Sequence, residues 1–179
     1  LKGGLHDALE GGFFRYTTDR LWHTPHYEKM LYDNAQLALV YLKASQVFNE
    51  DKYLRVAEST LNFLQKKFLL PQGGFISSLS AVDRKGRDGG YYLWSEKELT
   101  GLLTNEQFKL VKQYWQVINQ EQSIYYLPVS NQSINSLSKS QSHLLASAKK
   151  RLLQQVARRE QPRDDKTIAG WNGLALLAF

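Results

Sequence analysis

The sequence contains no cysteine among its 179 residues. Disulfide bonds and thiolate-bound metals are therefore excluded, and we expect a protein of a reducing compartment, the cytoplasm. No apolar run is long enough to cross a bilayer, and the first residues lack the layout of a signal peptide. We therefore expect no membrane partner. The chain lacks an initiating methionine and ends in an apolar stretch, so we expect it to be part of a longer protein.

The motifs of several function classes are also missing. There is no G-x-G-x-x-G, P-loop or nucleophile elbow, so nucleotide binding and serine-hydrolase chemistry have no support. His23 and His26 form H-x-x-H, but Pro25 lies between them and no third ligand is spaced with them. We therefore predict no metal and no cofactor. We expect His143, in a polar stretch that opens a helix, to be solvated.

The net charge of +6 favours anionic partners in principle. The basic residues are scattered, however, and the densest stretch, residues 149–159, puts its charges at the two ends of an apolar helix. No nucleic-acid motif accompanies them, so we do not expect a nucleic-acid partner.

The periodicity of the chain predicts a helix-rich domain. Thr24 followed by Pro25 predicts a helix start, and the apolar segment that follows carries that helix to Phe48. A second helix with one apolar stripe covers 49–69 and should pack on the first as an antiparallel hairpin. Ser95 and Glu98 have capping-box spacing. The remaining predictions are a β-hairpin or long ordered loop over 73–94, helices at 95–103, 105–117 and 141–159, a loop over 119–140 with one strand at 123–129, and a final helix from Asp164 or Asp165.

Gly-Gly pairs recur at 3–4, 11–12, 73–74 and 89–90, and an aromatic residue follows three of them closely. Glycine permits positive φ and close backbone approach. The pattern indicates a helical array with tight, aromatic-lined loops at one rim.

Polar residues crowd the predicted start of the first helix, and two interpretations are open. In the first, the helix lies on the surface, Lys29 pairs with Asp33 four residues on, and Glu28 complements the helix dipole. In the second, the polar groups point into a cavity, because the helix turns apolar immediately after Asn34. The polar residues of this stretch are His26, Glu28, Lys29, Tyr32, Asp33 and Asn34.

Two further groups flank this stretch in the sequence. Arg15, Asp19 and Trp22 are residue types that hold sugars, although a loop salt bridge between Arg15 and Asp19 explains two of them equally well. In "DDKTIAGWNG", an aspartate can cap the last helix, and Asn172 needs a hydrogen-bond partner if it is buried.

The stretch "GGFFRYTTDRLWHTPHYEKMLYDNAQLALVYL" closely resembles a signature of the spermatogenesis-associated, thioredoxin-domain-containing protein family. "GGFISS…GGYYLW" and "DDKTIAGWNGL" resemble further blocks of that family in the same order. The resemblance implies a thioredoxin-like domain followed by an (α/α)6 toroid similar to N-acylglucosamine 2-epimerases and six-hairpin glycosidases. Residues 1–179 would then be a single all-α domain, the first half of the toroid, built from antiparallel helix hairpins with short β-hairpins in the rim loops.

The resemblance implies an epimerase- or isomerase-like proton transfer on a sugar or amino sugar. His26 would be the general base or acid, and Glu28 or Asp33 would orient it or act as the second acid. Residues that match the family motifs, or lie beside them in the rim, would bind the substrate: Arg15, Asp19, Trp22, Lys29, Tyr32, Asn34, Asp164, Asp165, Trp171 and Asn172.

A rival hypothesis is a non-catalytic structural or interaction domain of a thioredoxin-fused protein. It is favoured by departures from the family pattern, since Phe14 stands where a histidine is common and "SAVD" retains a single aspartate, Asp83. As half a toroid, the chain should also expose an apolar edge and self-associate.

Overall fold

The computed structural model describes residues 3–120, 122–130 and 137–179. This part of the chain is helix-rich, but it also holds two three-stranded antiparallel sheets, so the expectation of an all-α fold is wrong in that respect. The helices are α1 (Leu31–Phe48), α2 (Asp51–Lys67), α3 (Glu96–Leu102), α4 (Asn105–Tyr114), α5 (Lys139–Val156) and α6 (Ala169–Ala178). The strands are β1 (Lys29–Met30), β2 (Ser78–Leu79), β3 (Trp94–Ser95), β4 (Trp115–Gln120), β5 (Ser123–Ser130) and β6 (Arg163–Asp164).

The first hydrophobic core lies between α1, α2 and α6. Only two residues separate α1 from α2, and the first of them, Asn49, has a left-handed backbone with φ 51°. The two helices pack together, which confirms the predicted helix hairpin, and α6 packs on α1. Leu31, Ala35, Phe63 and Leu64 are buried at the centre of this core.

The second hydrophobic core is built on the sheet β3–β5–β4, with α3, α4 and α5 around it. Capping boxes begin all three helices, at Ser95 with Glu98, Thr104 with Gln107, and Ser138 with Gln141. The first of these confirms the prediction from sequence spacing. Because each box satisfies amide groups that no helical carbonyl can reach, it fixes where the helix begins.

The first helix starts later than its sequence predicts. It begins at Leu31 rather than Pro25, and neither Thr24 nor Pro25 takes part in a cap. The preceding residues are extended instead, since Pro25 bridges to Thr17 and β1 pairs with β2. Pairing with distant segments satisfies the backbone groups that the expected first turns would have satisfied within the helix.

The predicted β-hairpin over 73–94 is also wrong. β2 lies in the sheet β1–β2–β6 and β3 lies in the sheet β3–β5–β4, so the two strands do not pair. The other alternative, an ordered loop, holds between them, where Val82 bridges to Asp88. A true hairpin forms from β4 and β5. The helix predicted over 105–117 therefore ends at Tyr114, and of the loop predicted over 119–140, residues 121 and 131–136 lie outside the described part.

The last helix also begins later than predicted, at Ala169, with Ile168 at its N-cap. Asp164 cannot cap it because Arg163–Asp164 forms β6 and pairs with Ser78–Leu79. Within the described residues, none of the helices is both long and apolar enough to cross a membrane.

The sheet β1–β2–β6 brings together segments that are far apart in sequence. β2 lies in the middle, with β1 on one side and β6 on the other. The motif around His26 and the "DDK" motif, which come more than 130 residues apart in the numbering, thus meet across one strand.

Candidate functional site

The residues before β1 form a short antiparallel hairpin. The Arg15 amide donates to the Glu28 carbonyl (2.9 Å), and the His26 amide donates to the Tyr16 carbonyl (2.8 Å). Asp19 closes the loop, because its carboxylate accepts hydrogen bonds from the amides of Leu21, His23 and Thr24. These hydrogen bonds lower the pKa of Asp19, and the bond from the Thr24 amide has the largest effect.

His26 lies in the wall of this hairpin. Its ring stacks on Tyr16, with centroids 4.8 Å apart and 13° between the planes. Its Nδ1 atom is 4.0 Å from Oε2 of Glu28, which accepts a hydrogen bond from Arg15 at 2.9 Å. The same Nδ1 atom is buried and has no hydrogen-bond partner among the described residues. The alternative of a loop salt bridge between Arg15 and Asp19 is therefore wrong, since Arg15 pairs with Glu28 instead.

Asp33 adds a second unpartnered atom to this region. Its Oδ2 is buried without a hydrogen-bond partner in the described part of the chain. Burial raises the pKa of Asp33, Arg15 opposes the shift, and Glu28 adds to it. Tyr32 lies beside Arg15 and also contacts Trp171 of α6 edge-on, with ring centroids 4.8 Å apart. We call Arg15, His26, Glu28, Tyr32 and Asp33 the His26 cluster.

Lys29 does not join this cluster, although it follows Glu28. Its side chain has no solvent exposure, and its ammonium lies 2.6 Å from Oδ2 of Asp7 and donates to the Gly11 carbonyl at 2.8 Å. The rings of Phe14, Phe63 and Tyr92 surround it at 4.8, 4.4 and 5.1 Å. The Lys29–Asp33 pair of the surface-helix interpretation is therefore wrong, because α1 starts after Lys29 and the Lys29 side chain lies in the core.

Two other residues of the predicted site bind backbone. Asn34 is fully buried and its amide group holds Phe13, in the loop after Gly12. Asn172 holds Phe75 in the same way, which supplies the partner that its position in an apolar helix requires. All the polar atoms of these two side chains are used within the fold.

The "DDK" motif contributes an exposed charge network near β6. Asp164 accepts from the Lys166 ammonium at 3.0 Å, and Asp165 pairs with Arg163 at 2.7 Å. The Lys166 ammonium and its backbone amide lower the pKa of Asp164. Trp171, half-buried on α6, is the member of this motif that touches the His26 cluster, through Tyr32.

Trp22 lies at the tip of the loop that Asp19 closes. It is 55% exposed, and its backbone is left-handed with φ 61°. Such a conformation is uncommon for a bulky residue and marks a backbone fixed by its surroundings. An exposed indole on a fixed loop is suited to stacking on a ligand.

Two cavities lie away from the His26 cluster. One, of about 360 Å³, is lined by residues that include Asp83, Arg87 and Arg159, and another, of about 420 Å³, opens between α2 and α5. None of the His26 cluster lines either of these two cavities. Within the described ranges, no group of three or more histidine, aspartate and glutamate side chains is arranged to hold a metal ion.

Sequence reasoning missed two residues that matter here. Asp7 neutralises Lys29, and Tyr16 supports His26 by stacking. The only signal for Tyr16 was the alternation of polar and aromatic residues on both sides of the Asp19 loop, which is typical of a hairpin. Nothing in the spacing of Asp7 and Lys29, 22 residues apart, predicted their contact.

Comparison with known proteins identifies relatives over part of the chain. Over 107 residues, 57% of this chain, the sequence is 42% identical to spermatogenesis-associated protein 20 of Mus musculus. It is 30% identical over 129 residues, 64% of this chain, to an uncharacterised protein of Caenorhabditis elegans. The matches cover 14% and 18% of the lengths of these relatives. No family model matches the chain.

The matched part of the chain is therefore homologous to spermatogenesis-associated protein 20, which agrees with the resemblance inferred from the motifs. A neighbouring thioredoxin-like domain stays a prediction. Among solved structures, a family 76 glycoside hydrolase from a bovine Bacteroides thetaiotaomicron strain aligns with a TM-score of 0.38 and 18% identity, over 69% of this chain and 30% of that one. A likeness of this degree assigns neither a fold family nor an activity.

Proposed function

We propose that this chain is a carbohydrate-active domain that performs an epimerase- or isomerase-like proton transfer on a sugar or amino sugar, within an (α/α)6 toroid. The observation that carries the proposal is the pair of buried, unpartnered atoms in one cluster, Nδ1 of His26 and Oδ2 of Asp33. Buried polar atoms are nearly always hydrogen-bonded, so two exceptions on titratable groups near each other favour a functional site.

Each member of the cluster has a role that its contacts support. His26 is the base, because imidazole is the most common general base and its Nδ1 has no hydrogen-bond partner among the described residues. Asp33, whose Oδ2 has no hydrogen-bond partner among the described residues and whose pKa is raised by burial, is assigned as the second acid. Glu28 faces the His26 ring at 4.0 Å and stabilises the imidazolium, while Arg15 holds Glu28 in place.

The proton balance of the step is simple. On an open-chain sugar, His26 takes the proton from the carbon next to the carbonyl, and the electron pair moves to the carbonyl oxygen as an enolate. Asp33 then returns a proton to the opposite face of the same carbon. Exchange of protons with water restores both side chains, so the configuration at one carbon is inverted with no net change in atoms.

The substrate contacts are assigned to side chains that are not fully used in contacts within the fold. Trp22 stacks on the apolar face of the sugar, and Tyr32 and Trp171 extend the aromatic wall from α1 and α6. Asp19 supports Trp22 by closing its loop and does not itself contact the sugar. We leave Lys29, Asn34 and Asn172 out of the pocket, because their polar atoms are used within the fold.

The alternative is a structural or interaction domain without catalysis. Lys29, Asn34 and Asn172 favour this alternative. They belong to the motifs that resemble the family signature, yet their polar atoms hold loops and the core. In this alternative, the Arg15–Glu28 pair and the Tyr16–His26 stack also act only to fix the hairpin.

A screen of sugars and amino sugars by thermal shift, followed by proton exchange in heavy water monitored by NMR, tests the proposal. We expect one sugar class to stabilise the protein and to exchange a carbon-bound proton. His143, exposed on α5, supplies the matched control, so His143→Ala should retain the exchange. If the folded protein neither binds nor exchanges any sugar, the structural alternative replaces the proposal.

A further inference from the structure

A second site lies on the surface between α2 and α5. We call the cavity of about 420 Å³ there the α2–α5 cavity. Arg55, Ser59, Asn62 and Lys66 line it from α2 at steps of three and four residues, which place them on one face of the helix. Lys149 lines it from α5. The cavity has the volume of a small-molecule site.

The charges in this cavity do not balance. Four cationic side chains and two carboxylates line it, a surplus of two positive charges. One carboxylate, Glu10, is already neutralised by Lys67 at 2.6 Å and also accepts a hydrogen bond from Tyr91. Within the described residues, Arg55, Lys66 and Lys149 have no carboxylate within salt-bridge distance, and Glu58 is the one other acid in the lining.

The other large cavity shows the contrast. Three of its four arginines are paired, Arg84 with Glu160, Arg87 with Asp83 and Arg159 with Glu98, whereas Arg158 and Lys85 are in no ion pair with the described residues. Five cations and four carboxylates line that cavity, a surplus of one positive charge, so the larger surplus is a property of the α2–α5 cavity.

Lys149 is the most constrained of the unpaired cations. It is half-buried, and its ammonium donates one hydrogen bond, to the Ala8 carbonyl at 2.8 Å. An ammonium has three donors, so two remain for a ligand. Burial lowers the pKa of Lys149, Asp7 opposes the shift, and Lys66 lowers the pKa further. The proximity of the exposed Lys66 ammonium to the half-buried one of Lys149 is unfavourable until an anion lies between them.

We propose that the α2–α5 cavity binds the phosphoryl group of a small phosphorylated metabolite through Lys149, Lys66 and Arg55. A phosphoryl dianion matches the surplus of two charges, whereas a carboxylate would neutralise half of it. Ser59 and Asn62 add neutral donors on the same helix face. The cavity is larger than a phosphate ion needs, so the rest of the metabolite fits beside it. The site is separate from the His26 cluster and does not depend on the proposed proton transfer.

Calorimetric titration of the full chain with inorganic phosphate and with a hexose 6-phosphate tests this proposal, with the unphosphorylated hexose as a neutral probe. Ionic strength is held constant with chloride, because surface charges are screened by salt. We expect saturable binding of both anions and none of the neutral hexose at this site. A tighter hexose phosphate identifies a metabolite site, and equal affinities identify a site for phosphate itself.

Two variants locate the binding. Lys149→Gln and Lys66→Gln should each weaken phosphate binding about tenfold, the effect of roughly 1.4 kcal/mol. Lys66 is exposed and makes no bond to the fold, so its variant remains informative if loss of the Ala8 contact unfolds Lys149→Gln. Lys43→Gln, an exposed position on α1, removes the same charge away from the cavity and should leave the affinity unchanged.

Three results would overturn the proposal. They are the absence of saturable phosphate binding, an equal loss in Lys43→Gln, and strong binding of a random DNA oligonucleotide that phosphate does not displace. DNA binding that phosphate does not displace would indicate that the positive charge of the cavity serves nucleic-acid binding.

Discussion

Asn34 and Asn172 make the same set of hydrogen bonds from two different helices. In each case Oδ1 accepts from a phenylalanine amide at 2.7 Å, and Nδ2 donates to the carbonyl of that phenylalanine and to the carbonyl of the N-cap residue of its own helix, four residues back. Both phenylalanines, Phe13 and Phe75, follow Gly-Gly pairs whose φ angles are all positive. Two of the three Gly-Gly-aromatic stretches of the sequence are therefore copies of one structural unit, in which a helix asparagine holds a glycine loop.

Removal of either amide should destabilise the protein. Asn34→Ala leaves a buried amide and carbonyl of Phe13 unpaired, which should lower the free energy of unfolding by about 2–4 kcal/mol. Asn172→Ala should lower it less, because Asn172 is less buried. Urea denaturation measures both, and Gln154→Ala on the exposed face of α5 is the control. Equal and negligible losses would show that the loops do not need these amides.

The buried pair of Lys29 and Asp7 should show strong coupling. Asp7→Asn leaves an uncompensated charge in the core, and we expect a loss of about 3–5 kcal/mol. Lys29→Met combined with Asp7→Asn should lose less than the sum of the single changes, because no buried charge is left over. A double-mutant cycle by denaturation measures the difference. Strict additivity would mean that the two groups do not stabilise each other.

His26→Ala should abolish proton exchange on the bound sugar while the protein stays folded. The side chain contributes its stack on Tyr16 and a long contact with Glu28, so we expect the melting temperature to fall by only a few degrees. Exchange rates and melting curves are compared with those of His143→Ala. A large loss of stability with sugar binding unchanged would make His26 a structural residue.

Acid should destabilise the fold partly through His6. Its Nε2 is buried without a hydrogen-bond partner among the described residues, and burial lowers the pKa of His6 to about 4. The unfolded chain, with a histidine pKa near 6.5, then binds more protons, so stability falls as pH drops from about 6.5 to about 4 and levels off below. The contribution is at most about 3 kcal/mol. His6→Phe, which keeps the edge contact with Phe13, should remove this part of the pH dependence.

In that experiment the difference between the native protein and the variant is the quantity to follow, because carboxylates titrate in the same range. Denaturation at pH 7, 5.5 and 4 supplies it. A difference that does not change over this range would show that folding leaves the pKa of His6 unshifted.

Self-association through an apolar edge stays a prediction with a defined surface to test. Leu176 and Leu177 on α6 are each 71% exposed, and Val47 and Phe48 on the neighbouring α1 are more than 60% exposed. Sedimentation velocity should show a concentration-dependent dimer, and Leu176→Lys with Leu177→Lys should shift it to monomer. A monomer at all concentrations would contradict the prediction.

The cap of α3 could be predicted from the sequence because it depends on neighbouring residues alone. The start of α1 could not, because it depends on strand pairing between separate segments. Ser95 and Glu98 bind each other's backbone within one turn, so their spacing is sufficient. Thr24 and Pro25 carry an equally good local signal, but the bridge of Pro25 to Thr17 and the pairing of β1 with β2 override it. The same competition moved the start of α6 past Asp164.

The candidate site was predicted only in part, because sequence spacing shows local neighbours and does not show contacts between distant segments. Its residues come from one motif, and the geometry brings His26, Glu28 and Asp33 into one cluster. Lys29 was assigned to that cluster because a helix would place it beside Asp33. As β1 it faces the core, where its partner, Asp7, lies 22 residues earlier, and no periodicity connects the two.

The bond between Asn172 and the Phe75 loop joins residues 97 apart in the chain. On a ribosome adding about 5–20 residues per second, the loop emerges roughly 5–20 s before the asparagine that holds it. Until then Phe75 and its neighbours lack the third helix of their core, and the exposed α1–α2 hairpin is open to wrong partners. The order of synthesis, rather than the final fold, therefore sets the interval in which this chain is most exposed to aggregation.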